Sequence, residues 1–116
     1  MKKILILTAL IALVVAVVYA QVGQTLRVHY TTMTATAGAI TLNEGANFYA
    51  LAGTASVTSI TARPSGTVVW LMTTSTDTLV DGSNLVLAGN FTGTANDVIC
   101  LVSNGTNWYE VSRSAN

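Results

Sequence analysis

The stretch that decides the fold is Asp97-Val98-Ile99-Cys100-Leu101-Val102-Ser103-Asn104-Gly105-Thr106-Asn107-Trp108-Tyr109-Glu110-Val111-Ser112. Two alternating apolar runs flank Asn104-Gly105. Asn-Gly is the preferred two-residue hairpin turn, because both central positions take positive φ. The turn predicts a register in which Ser103 faces Thr106, Val102 faces Asn107, Leu101 faces Trp108, Cys100 faces Tyr109, Ile99 faces Glu110 and Val98 faces Val111. One face then carries Val98, Cys100, Val102, Tyr109 and Val111, and the other Ile99, Leu101, Trp108 and Glu110. A hairpin with one solvated side would have one polar face, and this one has none. The Ile99–Leu101–Trp108 face is the expected interface with a second chain; packing within the chain is the alternative.

The rest of the chain after residue 20 reads the same way. Thr occurs 17 times there, alongside Val, Ile, Tyr, Phe and Trp, residues that suit a pleated surface. Lys is absent beyond Lys3, and no 12-residue window has a helical period. Turn residues interrupt the apolar runs at intervals typical of an all-β domain. The expected strands are Thr25–Thr32, Ala39–Leu42, Asn47–Leu51, Val57–Thr61, Thr67–Thr73, Thr78–Val80, Asn84–Leu87, Asp97–Ser103 and Asn107–Ser112. Arg63-Pro64-Ser65-Gly66 and Asp81-Gly82 are turns. Strand starts near Ile40, Val68 and Val98, and again near Phe48, Leu79 and Trp108, fall about 30 residues apart, as in a short three-faced solenoid. The fold class is therefore all-β, of about nine short strands, as a β-solenoid-like or sandwich domain.

Before Gln21 the sequence changes character. Lys2 and Lys3 precede an apolar run from Ile4 to Val18 broken only by Thr8, and Val18 and Ala20 are small residues placed for cleavage. This is the pattern of a secretory signal peptide, an apolar helix removed after residue 20. A retained anchor is the alternative, since Ile4 to Ala20 is at the short end of a bilayer span. The expected organisation is residues 1–20 signal peptide, 21–37 an N-terminal strand and linker, and 38–116 an all-β structural or binding module. The expected destination is outside the cytoplasm, at the cell surface, in the medium or in a virion.

Charge excludes several functions. The whole chain has 5 Lys+Arg against 5 Asp+Glu, and the mature part keeps three arginines (Arg27, Arg63, Arg113) against five carboxylates. Nucleic-acid binding needs a cationic surface that this chain does not have. A single Cys permits no intrachain disulfide and no cysteine zinc site, and a single His permits no multi-histidine site. No cofactor is expected.

The run Asn96 to Ser114, with its Asp, alternating strand, Gly turn and Trp108-Tyr109-Glu110-Val111-Ser112-Arg113, resembles a C-terminal signature of phage tail-fibre and tailspike-type virion proteins and related surface β-proteins. Gly66-Thr67-Val68-Val69-Trp70-Leu71 and Asp81-Gly82-Ser83-Asn84-Leu85-Val86-Leu87 are similar to preceding parts of that pattern, so the likeness spans Gly38 to Asn116. It implies an elongated, often trimeric structure that presents or anchors a receptor-binding surface, and it brings no catalytic residues. An export leader departs from the pattern, because tail proteins assemble in the cytoplasm. That moves the expectation toward a secreted or surface protein, or a virion protein routed through a membrane.

Individual residues give no chemistry of their own. Nucleophilic catalysis needs a base beside Ser, Thr or Cys, yet His29 lies on an alternating strand and Cys100 in mid-strand. Glu44, Asp77, Asp81, Asp97 and Glu110 sit in turns or open strands rather than in paired apolar pockets. Asp77, Asp81 and Asn84 supply oxygens near one turn but lack the spacing of a calcium loop, so no metal site is expected. Asn90-Phe91-Thr92 and Asn104-Gly105-Thr106 match the glycosylation triplet. Trp70, Trp108 and Tyr109 suit a core, an interface or a sugar ring. Trp70, Ile99, Leu101, Trp108 and Glu110 are the candidate interface or glycan contacts. The expectation is a non-enzymatic structural or adhesive protein working as a homo-oligomer, a trimer in its simplest form. A monomeric carbohydrate-binding module contacting a cell-surface glycan is the alternative, and membrane contact is expected only through an uncleaved leader.

Overall fold

The computed structural model describes residues 30–53 and 56–115, and the leader, Arg27 and His29 lie outside them. Among the described residues the protein is all-β, without a helix. Eleven strands follow in order: β1 (Tyr30–Met33), β2 (Ala39–Ile40), β3 (Phe48–Leu51), β4 (Ser56–Val57), β5 (Ser59–Ile60), β6 (Val68–Thr73), β7 (Asp77–Leu79), β8 (Leu85–Val86), β9 (Phe91–Gly93), β10 (Val98–Ser103) and β11 (Trp108–Ser114). The expected fourth strand is divided in two at Thr58, and β9 was not foreseen.

Parallel pairing makes the arrangement solenoid-like. β1 pairs parallel with β3 and β3 with β6; β2 pairs parallel with β5 and β4 with β7. These pairs belong to successive turns of the chain around three walls. Tyr30 lies beside Phe48 and Phe48 beside Trp70, so one turn takes 18 and then 22 residues. The expected 30-residue repeat is corrected here. Ile40 stacks on Ile60, and Leu79 on Val57 and Phe91, not on the residues that the longer period matched.

Stacking puts like side chains in register inside the coil. Met33, Leu51 and Thr73 form one rung, and Tyr49, Leu71 and Ile99 another. Ile40 and Ile60 line the second wall, and Val57, Leu79 and Phe91 the third, all buried. Within the stretch 21–37 expected to hold a strand and linker, Thr32 and Met33 belong to β1, and residues 34–38 form the corner from β1 into β2. Thr36 and Ala39 bond each other across it, and Gly38 takes a φ of 78°.

The C-terminal end closes by reversing direction. β9 turns back on β7, β10 runs antiparallel to β6, and β11 returns antiparallel to β10 and parallel to β8. At β5 no further strand follows. The Asn84 side chain takes a strand's place there, accepting from the Ile60 amide at 3.1 Å and donating to the Ile60 carbonyl at 2.6 Å.

The Asn104-Gly105 hairpin exists, but in a different register. Ser103 faces Trp108, Val102 faces Tyr109 and Leu101 faces Glu110. The loop has four residues, because the Asn104 side-chain oxygen accepts from the amides of Thr106 (3.0 Å) and Asn107 (2.7 Å). Of the two central residues only Gly105 has positive φ, at 101°. A slip of two residues leaves the side chains on their expected faces as far as Glu110. A Cβ at Gly105 would meet nothing closer than 3.9 Å, so a substitution there costs backbone strain alone. Gly105→Val is expected to lower stability by about 1–2 kcal/mol, measured by urea unfolding.

Candidate functional site

Three places hold the polar and aromatic groups that could bind or react: the corner between the first two walls, the clasp at the C-terminus, and the outward face of the six-stranded sheet. The corner encloses a cleft of about 340 Å³ lined by Leu42, Glu44, Tyr49, Arg63 and Thr67 among others. Its groups are committed to one another. Arg63 donates to the Leu42 carbonyl and, at 3.4 Å, to Glu44 Oε1, whose carboxylate is otherwise open to solvent. The Tyr49 hydroxyl sits between the carbonyls of Asn43 (2.8 Å) and Ala46 (2.7 Å) and donates its one proton there. Burial pushes the Tyr49 phenol up, and the nearby Arg63 charge offsets this in part. The cleft thus has one cation, one anion and a phenol held protonated.

The clasp depends on a bulge. Between Cys100 and Leu101 the register shifts by one, leaving Val111 as the extra residue. Residues 110 and 113 of a regular strand would point to opposite sides, and the extra residue puts them on one side. Arg113 then donates twice to Glu110, both at 2.6 Å, and reaches the carbonyls of Gly89 (3.0 Å) and Asn90 (3.3 Å). Its guanidinium lies 5.4 Å from the centre of the Phe91 ring. Glu110 also accepts from the Ala88 amide at 2.9 Å. The Arg113 hydrogen bonds hold the Glu110 carboxyl below its usual range, against the opposing effect of burial.

This has a pH consequence with a definite sign. A carboxyl whose folded pKa is lowered stabilises the fold above its unfolded pKa, and that contribution is lost as pH falls through the folded value. Stability is expected to drop below about pH 4.5, and Glu110→Gln is expected to lessen that drop in urea titrations. Arg113→Ala is expected to cost about 1–2 kcal/mol at neutral pH, since the pair is bidentate and partly covered.

The candidates from the sequence are dispersed. Ile99, Leu101 and Trp108 are each 0% exposed and lie in the intrachain core, so the face chosen as an interface is the inner one. The stacked walls supply the cover that a second chain was expected to give. Glu110 is held in the clasp rather than offered to a ligand. Trp70 alone of the five faces outward, half-buried on β6. Trp70 and Trp108 therefore share no surface, and a sugar-stacking pair is not formed.

The oxygens considered for calcium go to separate partners. Asp81 accepts from the Leu87 amide at 2.8 Å, Asn84 is bound to Ile60, and Asp77 is buried at the start of β7. Asp97 accepts from the amide and hydroxyl of Thr94. Among the described residues no group of three or more His, Cys, Asp or Glu side chains is placed to hold a metal ion. Cys100 is buried, and burial raises its thiol pKa. Asn90 and Asn104 are both exposed, each with its side-chain oxygen bonded to backbone amides.

The outward sheet face was missed as a site. Its signal was the unbroken apolar run Val68-Val69-Trp70-Leu71-Met72, in which both alternating sets need cover. A scan of family models finds no match to this chain, and no curated protein matches it.

Proposed function

We propose that this chain is a non-enzymatic, exported structural or adhesive β-protein that works as a homo-oligomer in a cell-surface or virion appendage. The observation that carries the reading is where the polar side chains are used. Thr61 binds the Ile40 carbonyl, Thr58 the Gly38 carbonyl, Asn84 the Ile60 backbone and Arg113 the 89–90 loop. They hold one turn of the coil to the next, which is the work of a scaffold, and leave no converging acid, base and nucleophile in the corner cleft. A three-walled stack offers long side surfaces for contact, which suits attachment better than turnover. The alternative glycan module loses support from the placement of Trp108 in the core.

The test is to express the whole chain with its leader, fractionate the cells and sequence the N-terminus of the product. Protein found outside the cytoplasm, starting at Gln21 and sedimenting as a multimer, is the expected result. A cytoplasmic, unprocessed monomer would overturn the reading. Binding to a glycan array by a monomer would replace it with the alternative.

A further inference from the structure

The three walls of the coil differ in what they present outward. The second carries Ala39 and Ser59, with Thr41 and Thr61 beside them, and the hydroxyls of Thr41 and Thr61 are 3.4 Å apart. The third carries Ser56, Thr78 and Thr92 in one row, with the last two hydroxyls 3.3 Å apart. These are surfaces made for water. The first wall is the six-stranded sheet. Its outward row includes Phe48, Val68, Trp70, Met72, Val98 and Val102, all half-buried. Ala50 and Cys100 lie between them and are buried, while Val86 and Tyr109 at the margin are 42% and 38% exposed. No outward position of this sheet among the described residues is Asp, Glu, Lys or Arg.

We propose that the outward face of the six-stranded sheet is the surface through which one copy of this chain packs on another, sheet face against sheet face. The inference rests on the oligomeric reading above and names its surface. Charge points to the occupant. A partner recognised by ionic contacts would find no counter-charge here, and a sugar would find no amide or carboxylate beside Trp70. A second copy of the same uncharged face brings neither repulsion nor an unpaired ion. Area sets the strength of the contact. The six strands hold 29 residues, which at ~4.8 Å spacing and ~3.3 Å rise cover on the order of 460 Å². Two such faces reach roughly 900 Å², the size of a weak, reversible interface, and so predict self-association in the high-micromolar range.

The experiment is sedimentation and light scattering on the purified full-chain product from about 1 to about 200 micromolar. Val102→Glu and Met72→Glu place a charge on the proposed face, and Thr92→Glu places one on the third wall. The first two are expected to weaken association at least tenfold with an unchanged β-type circular dichroism spectrum, and the third to leave it as in the parent. Association unaffected by Val102→Glu and Met72→Glu would overturn the surface while leaving the oligomeric reading intact. Equal loss in Thr92→Glu would overturn it too, since the effect would then not belong to one wall. A parent protein monomeric at every concentration would remove both. Should the glutamate variants not fold, acrylamide quenching of the parent decides. Trp108 is sealed in the core, so a rise in quenching on dilution reports Trp70 becoming uncovered. Quenching that stays constant through dissociation would place the interface elsewhere.

Discussion

Trp108→Ala is expected to destabilise the protein by about 3–5 kcal/mol, read as a fall in the urea midpoint with an unchanged slope. Trp108 is the largest side chain in the core and has no exposed surface. It stands where three parts of the chain meet. Its amide donates to the Asn84 carbonyl at 2.7 Å, its indole N–H to the Thr61 carbonyl at 3.3 Å, and it pairs with Ser103 across the hairpin. Truncation leaves a void bounded by strands that are hydrogen-bonded to neighbours and cannot collapse inward. A small domain has ~5–15 kcal/mol in total, so the variant is expected to be partly unfolded at 37 °C. Trp108→Phe keeps most of the volume and loses the indole bond, and a loss of about 1–2 kcal/mol is expected. Equal effects from the two variants would show that the hydrogen bond, not the filled volume, dominates.

Asn84→Leu is expected to cost about 2–4 kcal/mol, although the two side chains are similar in size. The carboxamide of Asn84 satisfies both the N–H and the C=O of Ile60, a residue 1% exposed. Leucine leaves both groups without partners, and each unsatisfied backbone group costs about 1–3 kcal/mol when water cannot reach it. Hydrogen exchange gives a local readout. The Ile60 amide should exchange much faster in the variant, while the amides of β10 should slow or quicken only in line with global stability. Unchanged protection at Ile60 would mean that another group closes that edge.

Strand positions were legible in the sequence because short apolar runs and turn residues alternate cleanly. Five of the expected runs contain an observed strand, three overlap one (the first of them with residues 25–29 outside the described residues), and the ninth contains β5 and part of β4. β9 was hidden by its composition. Phe91-Thr92-Gly93 is three residues ending in glycine, which reads as a loop. The glycine is there for packing, since a Cβ would come within 2.6 Å of the Thr73 hydroxyl. The hairpin turn was legible as a turn but not as a four-residue loop, because the Asn104 side chain, not its φ, sets the length. The turn-to-turn spacing was misread because the closing strands β9 and β10 run against the coil and break its period. As for the candidate site, both faces of the hairpin are apolar in the sequence, and the structure buries the Ile99–Leu101–Trp108 face inside the chain. Which of them points inward depends on a wall, β2 and β5, that lies about 40–70 residues away in sequence. Alternation alone does not carry that information.

The reversal at the C-terminal end has a consequence for synthesis. β6 is the middle of the widest sheet, yet one of its two partners, β10, begins only at Val98. A ribosome holds the last few tens of residues of a growing chain in its tunnel. The earlier strands therefore emerge with β6 bare on one side and with neither Trp108 nor Arg113 available to lock the stack. The finished shape therefore waits on residues 98–114.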